Sequence, residues 1–197
     1  MTARSPWSIY YDKQEGRATN PLLLKALQHC AAPGLAIDLG CGEGTDTRAL
    51  LALGWRVVAI DAEAEAIERL SNSLADTPTE ALRTQVADAR GLELPNCDLL
   101  YAGLSLPFNA PEDFHELWQR CCQAVKPQGI FAAHLFGDRD DWAHNPTRTF
   151  HTHAQAEALV AQGQVLHFEE REFDGHSALG PKHWHWFEFV VRLGTQA

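Results

Sequence analysis

The run Asp38-Leu39-Gly40-Cys41-Gly42-Glu43-Gly44 places a carboxylate ahead of glycines at alternate positions, and Asp61 and Asp88 close two later, mostly apolar stretches in the same manner. Glycine serves where the backbone takes positive φ or where a ligand lies directly against the chain. A carboxylate at the end of a strand can accept hydrogen bonds from both hydroxyls of a ribose, and Asp61 stands 17 positions after Gly44, about where open α/β sheets place such a group. An acceptor at Asp88 suits an adenine amino group. These residue types at this spacing point to the docking of a nucleoside-containing cofactor. Dinucleotides and S-adenosylmethionine both use glycine-rich turns of this kind, and for Asp61 alone an acidic helix cap is the competing reading.

Such a site needs a strand, a tight turn and a helix, repeated. Leu35 to Leu39 reads as a buried strand and Thr45 to Leu53 as a helix closed by Gly54. Trp55 to Ile60 is a second strand, and Ala66, Ile67, Leu70 and Leu74 recur at helical spacing over 63–74. Strands over 82–87, 98–102 and 130–136 follow, with a long helix starting at Pro111 and stopped by Lys126-Pro127-Gln128-Gly129. Asn20-Pro21 starts a helix ahead of the first strand, and Thr152 with Gln155 forms a capping-box pattern for the last one. Alternation of strand and helix implies a parallel sheet. The last two strands, 164–173 and 184–193, are joined by the turn-rich segment Asp174 to Pro181, too short for a helical crossover, so they pair antiparallel. The chain reads as one domain over 1–197, with 1–20 as an N-terminal arm or lid bearing Trp7, Tyr10 and Tyr11.

Bulk composition narrows the partners. The net charge of −10 repels phosphate backbones and anionic lipid, so neither nucleic acid nor membrane is an expected partner. The five cysteines lack CxxC spacing and suit a reducing cytoplasm, and neither a signal peptide nor a membrane-spanning run is visible. A monomer or a homodimer is expected. The pairs His151-x-His153 and His183-x-His185 raise the question of a metal, but a catalytic zinc wants a third protein ligand and supporting partners, and no metal site is assembled. Cys41 reads as a small packing residue rather than a nucleophile. His134, at the end of the fifth strand, and Tyr11 are the candidate catalytic residues, a hydrogen-bonded structural histidine being the alternative for His134. Phe108, His134, Trp142 and Trp184 are the candidate acceptor-binding residues. Trp7, Tyr11 and Arg17 form a candidate lid, the two aromatic rings suited to a cationic sulfonium, with plain packing of an N-terminal arm as the equal alternative.

The motifs IDLGCGEG, VVAID and VADAR together resemble the cofactor site of class I S-adenosylmethionine-dependent methyltransferases, and the resemblance extends over the whole chain through the closing antiparallel strand pair. It implies a Rossmann-like, seven-stranded, mostly parallel α/β sheet of order 3-2-1-4-5-7-6, with strand 7 antiparallel and helices on both faces. It further implies that Gly40, Cys41 and Gly42 face the methionine part of S-adenosyl-L-methionine, with Asp38 beneath its ammonium group. Asp61 and Ala62 then hold the ribose, Asp88 and Ala89 the adenine, and the Gly103 carbonyl the ammonium, while Tyr11 and Arg17 close over the cofactor. A dinucleotide site would want glycine where Thr45 stands. The segments GLSLPF, HLFGDRDDW, TFHT and LGPKHWH are similar to small bacterial members related to the tellurite-resistance group. That likeness implies methyl transfer to a small molecule, with a chalcogen, metalloid or thiol-like acceptor as the leading expectation. A nucleotide-dependent oxidoreductase and a non-catalytic domain of the same fold are the alternatives.

Overall fold

The computed structural model describes residues 7, 11, 16–75, 80–88 and 90–194. Helix α1 (Pro21–Leu27) begins where Asn20 accepts a hydrogen bond from the Leu22 amide and Pro21 supplies a preset φ at the first helical position. Strand β1 (Leu35–Leu39) leads into helix α2 (Thr45–Ala52), β2 (Arg56–Asp61) into α3 (Ala64–Ser73), and β3 (Leu82–Val86) follows. Strand β4 (Cys97–Ala102) is followed by a short 3-10 turn (Leu106–Phe108), helix α4 (Pro111–Ala124) and strand β5 (Val125–Gly137). A two-residue strand β6 (Phe150–His151), helix α5 (His153–Val160) and the strands β7 (Gln164–Ser177) and β8 (Gly180–Arg192) complete the described chain.

The sheet has the order β3-β2-β1-β4-β5-β8-β7, with β6 beside β5, which gives eight strands where seven were expected. Pairing is parallel from β3 through β5, and β8 runs antiparallel to both β5 and β7. Buried side chains alternate along the strands and form two cores. One gathers Leu22, Leu23 and Ala26 of α1, Leu50 of α2 and Leu70 of α3 against Val57, Ala59, Leu99 and Val190. The other packs Phe114, Leu117 and Trp118 of α4 and Val160 of α5 against Ile37, Leu100, Phe131 and Phe189. A strand buried on both faces has no wet side, which is why β1, β2 and β4 read as near-continuous apolar runs.

Two departures from the sequence expectation matter for the site. Lys126-Pro127-Gln128-Gly129 lies inside β5 as a bulge rather than ahead of it. Cys97 pairs with Val125 and Leu99 with Ile130, so the intervening residues are looped out, with Gln128 in the left-handed region. The segment Asp174 to Pro181 is also strand rather than loop. Asp174 pairs with His183 and His176 with Pro181, leaving only Ala178 and Leu179 as the turn. The turn-forming residues there are overridden by the cross-strand ladder of a hairpin that projects beyond the body of the sheet.

Phe131 is fully buried between Trp118 and Phe189, whose ring centroids lie 5.1 and 5.2 Å from its own. Phe131→Ala is expected to cost about 3–5 kcal/mol in urea unfolding. Leu53→Ala, at an exposed position, is expected to change stability by about 0.5 kcal/mol or less.

Candidate functional site

The glycine turn after β1 is fixed by backbone donors. Gly40 and Cys41 both donate to the Ile60 carbonyl, at 2.7 and 3.0 Å, so the turn is tied to the end of β2. The Gly42 amide donates to one Asp61 oxygen at 2.8 Å, and the Glu63 amide donates to the other at 2.9 Å. Gly40, Gly42 and Gly44 all take positive φ, the region glycine enters without penalty. At Gly40 a side chain is also excluded by contact, since a Cβ would lie 2.2 Å from that of Ser105. Ser105, just past β4, is held there by donating its hydroxyl to the Leu39 carbonyl at 2.5 Å.

Beneath this turn lies a recess of about 40 Å³ lined by Asp38, Asp46, Arg17, Tyr11, Tyr101 and Gly103, among others. Asp46, in the first turn of α2, is its structural hub. Its carboxylate accepts from Arg17 at 2.9 Å, from the Asn20 amide at 2.9 Å and from the Tyr101 hydroxyl at 3.2 Å. Asp38 is buried and accepts only the Thr47 hydroxyl, at 2.6 Å, among the described residues. Burial raises the Asp38 carboxyl to about 7, and the neighbouring Asp46 charge adds to the rise. Burial also raises Asp61, opposed by the amides of Glu63 and Gly42 and by the Tyr11 hydroxyl. A cation placed in the recess would meet two carboxylates in a poorly solvated setting, where their attraction is strong.

The recess adjoins a cleft of about 1370 Å³ that runs along the carboxyl ends of β1, β2 and β4. Gly40, Gly42, Asp61, Ala62, Asp88, Gly103 and Tyr11 line one part of it. Phe108, Phe136, Trp142, Trp184 and Trp186 line another, with Arg148 among them and the hairpin tip, 176–180, at the rim. The rings touch in sequence: Trp7 to Phe108 at 5.0 Å, Phe108 to Phe136 at 5.4 Å, Trp142 to Trp184 at 5.3 Å and Trp184 to Trp186 at 5.5 Å. Lys182 is buried beneath this wall. It forms an ion pair with Asp140, and its ammonium lies 3.8 Å from the Trp184 ring centre and 4.3 Å from that of Trp142.

Most of the residues singled out in the sequence therefore meet in one cleft, with several exceptions. His134 is not among its walls. It is buried within the sheet, 3.9 Å from Glu188 and beside the Trp186 ring, and burial lowers its imidazole to about 4. Of β5, it is Phe136 and not His134 that lines the cleft. Asp88 lines the cleft but is exposed, accepting from the Arg90 amide at 2.9 Å. Ala89 lies outside the described residues, as does Tyr10. Arg17 is engaged with Asp46 rather than lying over the cleft. Cys41 is buried and its thiol pushed well up by burial, which leaves it protonated at neutral pH.

The histidine pairs separate. His151 is buried against Phe114, and His153 is exposed beside Glu170. His183 binds Asp174 and Glu172, while His185 binds Glu170. Among the described residues, one group has ligand atoms close enough to hold a metal, His167 with Glu169 and Glu188. The Lys25 ammonium is already there, 2.6 Å from Glu188 and 3.1 Å from His167. Asp46, Tyr101, Ser105, Asp140, Arg148 and Lys182 are the site residues that sequence reasoning missed. Their only sequence signal lay in the motif segments GLSLPF, HLFGDRDDW and LGPKHWH, which contain Ser105, Asp140 and Lys182.

Residues 36–129 match the family model described as a methyltransferase domain. The carboxy-S-adenosyl-L-methionine synthase of Shewanella loihica is 32% identical over 110 residues, which cover 51% of this chain and 44% of that protein. The chain thus spans under half the length of this curated relative. Among solved structures, TehB of Haemophilus influenzae superposes with a TM-score of 0.79 at 15% identity, covering 95% of this chain and 67% of that one. The 1,6-didemethyltoxoflavin-N1-methyltransferase of Burkholderia thailandensis, solved with its namesake compound and S-adenosylhomocysteine, superposes at 0.67 with 18% identity, over 98% and 92% of the two chains. No helix among the described residues is long and apolar enough to cross a membrane. The matched methyltransferase domain, the sheet order and the glycine cradle between β1 and α2 support the reading of this chain as a class I S-adenosylmethionine-dependent methyltransferase.

Proposed function

We propose that the chain transfers the methyl group of S-adenosyl-L-methionine to a small-molecule acceptor, with a thiol-like, chalcogen or metalloid atom as the leading acceptor class. The observation that carries the reading is that one cleft is walled on one side by the glycine cradle and on the other by aromatic rings. Its volume of about 1370 Å³ exceeds the roughly 300–1,000 Å³ of an ordinary ligand site, which leaves room for a cofactor and an acceptor together. The cradle fits the cofactor: Gly40 and Gly42 present bare backbone, and Asp38 offers a buried carboxylate to an ammonium group. When bound, the cofactor supplies an electrophilic methyl on a sulfonium whose leaving group is a neutral thioether.

The residues of the chain then have positioning roles. Asp61 keeps lone pairs for ribose hydroxyls while its backbone donors hold it in place. Tyr11, buried and hydrogen-bonded to Asp61, closes the cofactor end. The aromatic wall excludes water and sets the acceptor in line, the main contributions such a transfer needs. Soft acceptors of the kind named for the tellurite-resistance relatives carry their own nucleophilic lone pair, so a general base is not required of the cleft. The family match ends at residue 129, ahead of Phe136, Trp142, Trp184 and Trp186, so it supports the donor and not the acceptor. The oxidoreductase alternative is disfavoured by Thr45 at the start of α2, where a dinucleotide turn wants glycine.

Calorimetry with S-adenosylhomocysteine is expected to show binding, weakened about tenfold or more in Asp61→Ala. No binding by a folded sample, or unchanged affinity in that variant, would remove the assignment. A non-catalytic domain of the same fold would likewise fail this titration.

The pH dependence follows from Asp38, whose carboxyl is raised to about 7. Its folded value lies above the ordinary 3.8, so the free protein loses stability as pH rises from there through about 7. The ammonium of the ligand selects the ionised form. Affinity for S-adenosylhomocysteine is therefore expected to rise about tenfold between pH 6 and 8, with a flat profile in Asp38→Asn. An equal slope in both proteins would assign the effect elsewhere.

A further inference from the structure

Two cations flank one indole in the aromatic wall. The Arg148 guanidinium lies 3.9 Å from the Trp142 ring centre and 4.9 Å from that of Phe108, while the Lys182 ammonium approaches Trp142 at 4.3 Å. Their electrostatic situations differ. Lys182 is neutralised by Asp140 and also donates to the His183 carbonyl at 3.0 Å. Arg148 is half-buried and, among the described residues, has no carboxylate within ion-pair distance and donates no side-chain hydrogen bond. Its Nη1 is buried without a partner. An arginine left this way is costly, because the fork of donors is stripped of water with nothing in exchange. It is also against the bias of the chain, whose 26 acidic residues outnumber 16 lysines and arginines.

The placement of Arg148 is specific. The guanidinium carbon lies over the Trp142 and Phe108 rings, and its donors, without protein partners among the described residues, suit a planar oxyanion. The backbone holds the residue there: the Arg148 amide donates to the Asn145 carbonyl at 3.2 Å, and the next residue, Thr149, donates to Pro107 and Asn109 carbonyls at 3.0 and 2.8 Å. The same residue lines the cleft together with Phe108, Phe136, Trp142, Trp184 and Trp186.

We infer that Arg148 is an anion-recognition residue of the acceptor site, and that the acceptor is an apolar, ring-sized molecule bearing a carboxylate. The rings take the body of the acceptor and the guanidinium edge takes its charge. This rests on the reading of the cleft as a methyl-acceptor site, and it adds an acceptor class that the family match does not reach.

The test is calorimetry on the full chain saturated with S-adenosylhomocysteine, using 2-naphthoate, its neutral counterpart 2-naphthamide, and sodium selenite as a bare inorganic oxyanion. The expected result is binding of 2-naphthoate at least about tenfold tighter than 2-naphthamide, with that preference lost in Arg148→Met and partly kept in Arg148→Lys. S-adenosylhomocysteine affinity should be unchanged in both variants, which also shows that they fold. Absence of 2-naphthoate binding, equal affinity for acid and amide, a preference that survives in Arg148→Met, or selenite binding as tightly as the naphthoate would each overturn the inference. Failure of wild-type protein to bind S-adenosylhomocysteine would instead remove the cofactor reading beneath it.

Discussion

The close approach of the β1 turn to the β4 turn is the constraint on which the site depends. Strand β1 lies between β2 and β4, so the chain leaves it at the place where successive crossovers diverge and a crevice opens. The crevice is kept narrow at its base because Gly40 has no side chain, which lets Ser105 pack against it and bond the Leu39 carbonyl. The amides of Gly40 and Cys41 are both spent on Ile60, and that of Gly42 on Asp61. The turn therefore keeps its shape through bonds made within the protein, and a ligand meets a surface already formed. Preorganisation of this kind avoids the cost of ordering a loop on binding.

From that base the cleft is electrically polarised. Its inner end gathers Asp38, Asp46 and Asp61, partly offset by Arg17, and its aromatic wall carries Arg148, with the neutral pair of Lys182 and Asp140 buried beneath it. A sulfonium cofactor with a cationic amino group suits the first end, and an anionic acceptor suits the second. The chemistry proposed needs this arrangement more than it needs a proton carrier, because bringing two oppositely charged partners into a water-poor cleft strengthens their attraction and fixes their alignment.

How much of this was legible in the sequence depended on how local each rule was. The glycine turn, the helix starts at Asn20-Pro21 and Thr152, and the apolar strands β1, β2 and β4 follow from backbone geometry and alternation within a few residues, and all could be read directly. Strand β6 could not, because two residues carry no period. Residues 126–129 and 174–181 carry turn-forming signals that hold locally, yet a long partner strand draws both segments into the ladder. Asp46 illustrates the limit within the site. On the chain it is an ordinary acidic residue in the first turn of a helix, and its role as a hub appears only when Arg17, Asn20 and Tyr101 arrive from three separate segments. Arg148 offers still less, since what marks it is the lack of a carboxylate partner among the described residues, and such a lack has no sequence pattern.

The hairpin of β7 and β8 explains how a wall made from a long loop can be rigid enough to orient an acceptor. Residues alternate faces along a strand: Lys182, Trp184 and Trp186 fall on one side of β8, and His183 and His185 on the other. Trp184 and Trp186 of the first set build the wall, with Lys182 beneath it. The second, with the backbone, fastens the loop 138–149 that brings Trp142 and Arg148. The Arg139 amide donates to His185 Nδ1 at 3.0 Å, which leaves the Nε2 proton for Glu170 at 2.8 Å and so fixes one tautomer. The His183 amide donates to Asp141 at 2.7 Å, and the Asp141 amide donates back to the His183 carbonyl at 3.2 Å. Gly137 lets this happen, because a Cβ there would lie 2.0 Å from the His185 ring. The loop is thus pinned at its start by the histidines and by the buried pair of Lys182 and Asp140, and at its end by Thr149. His183 and His185, a pair that raised the question of a metal in the sequence, fasten this loop, and the Trp142 indole with its two cations stands on a frame held by bonds within the protein.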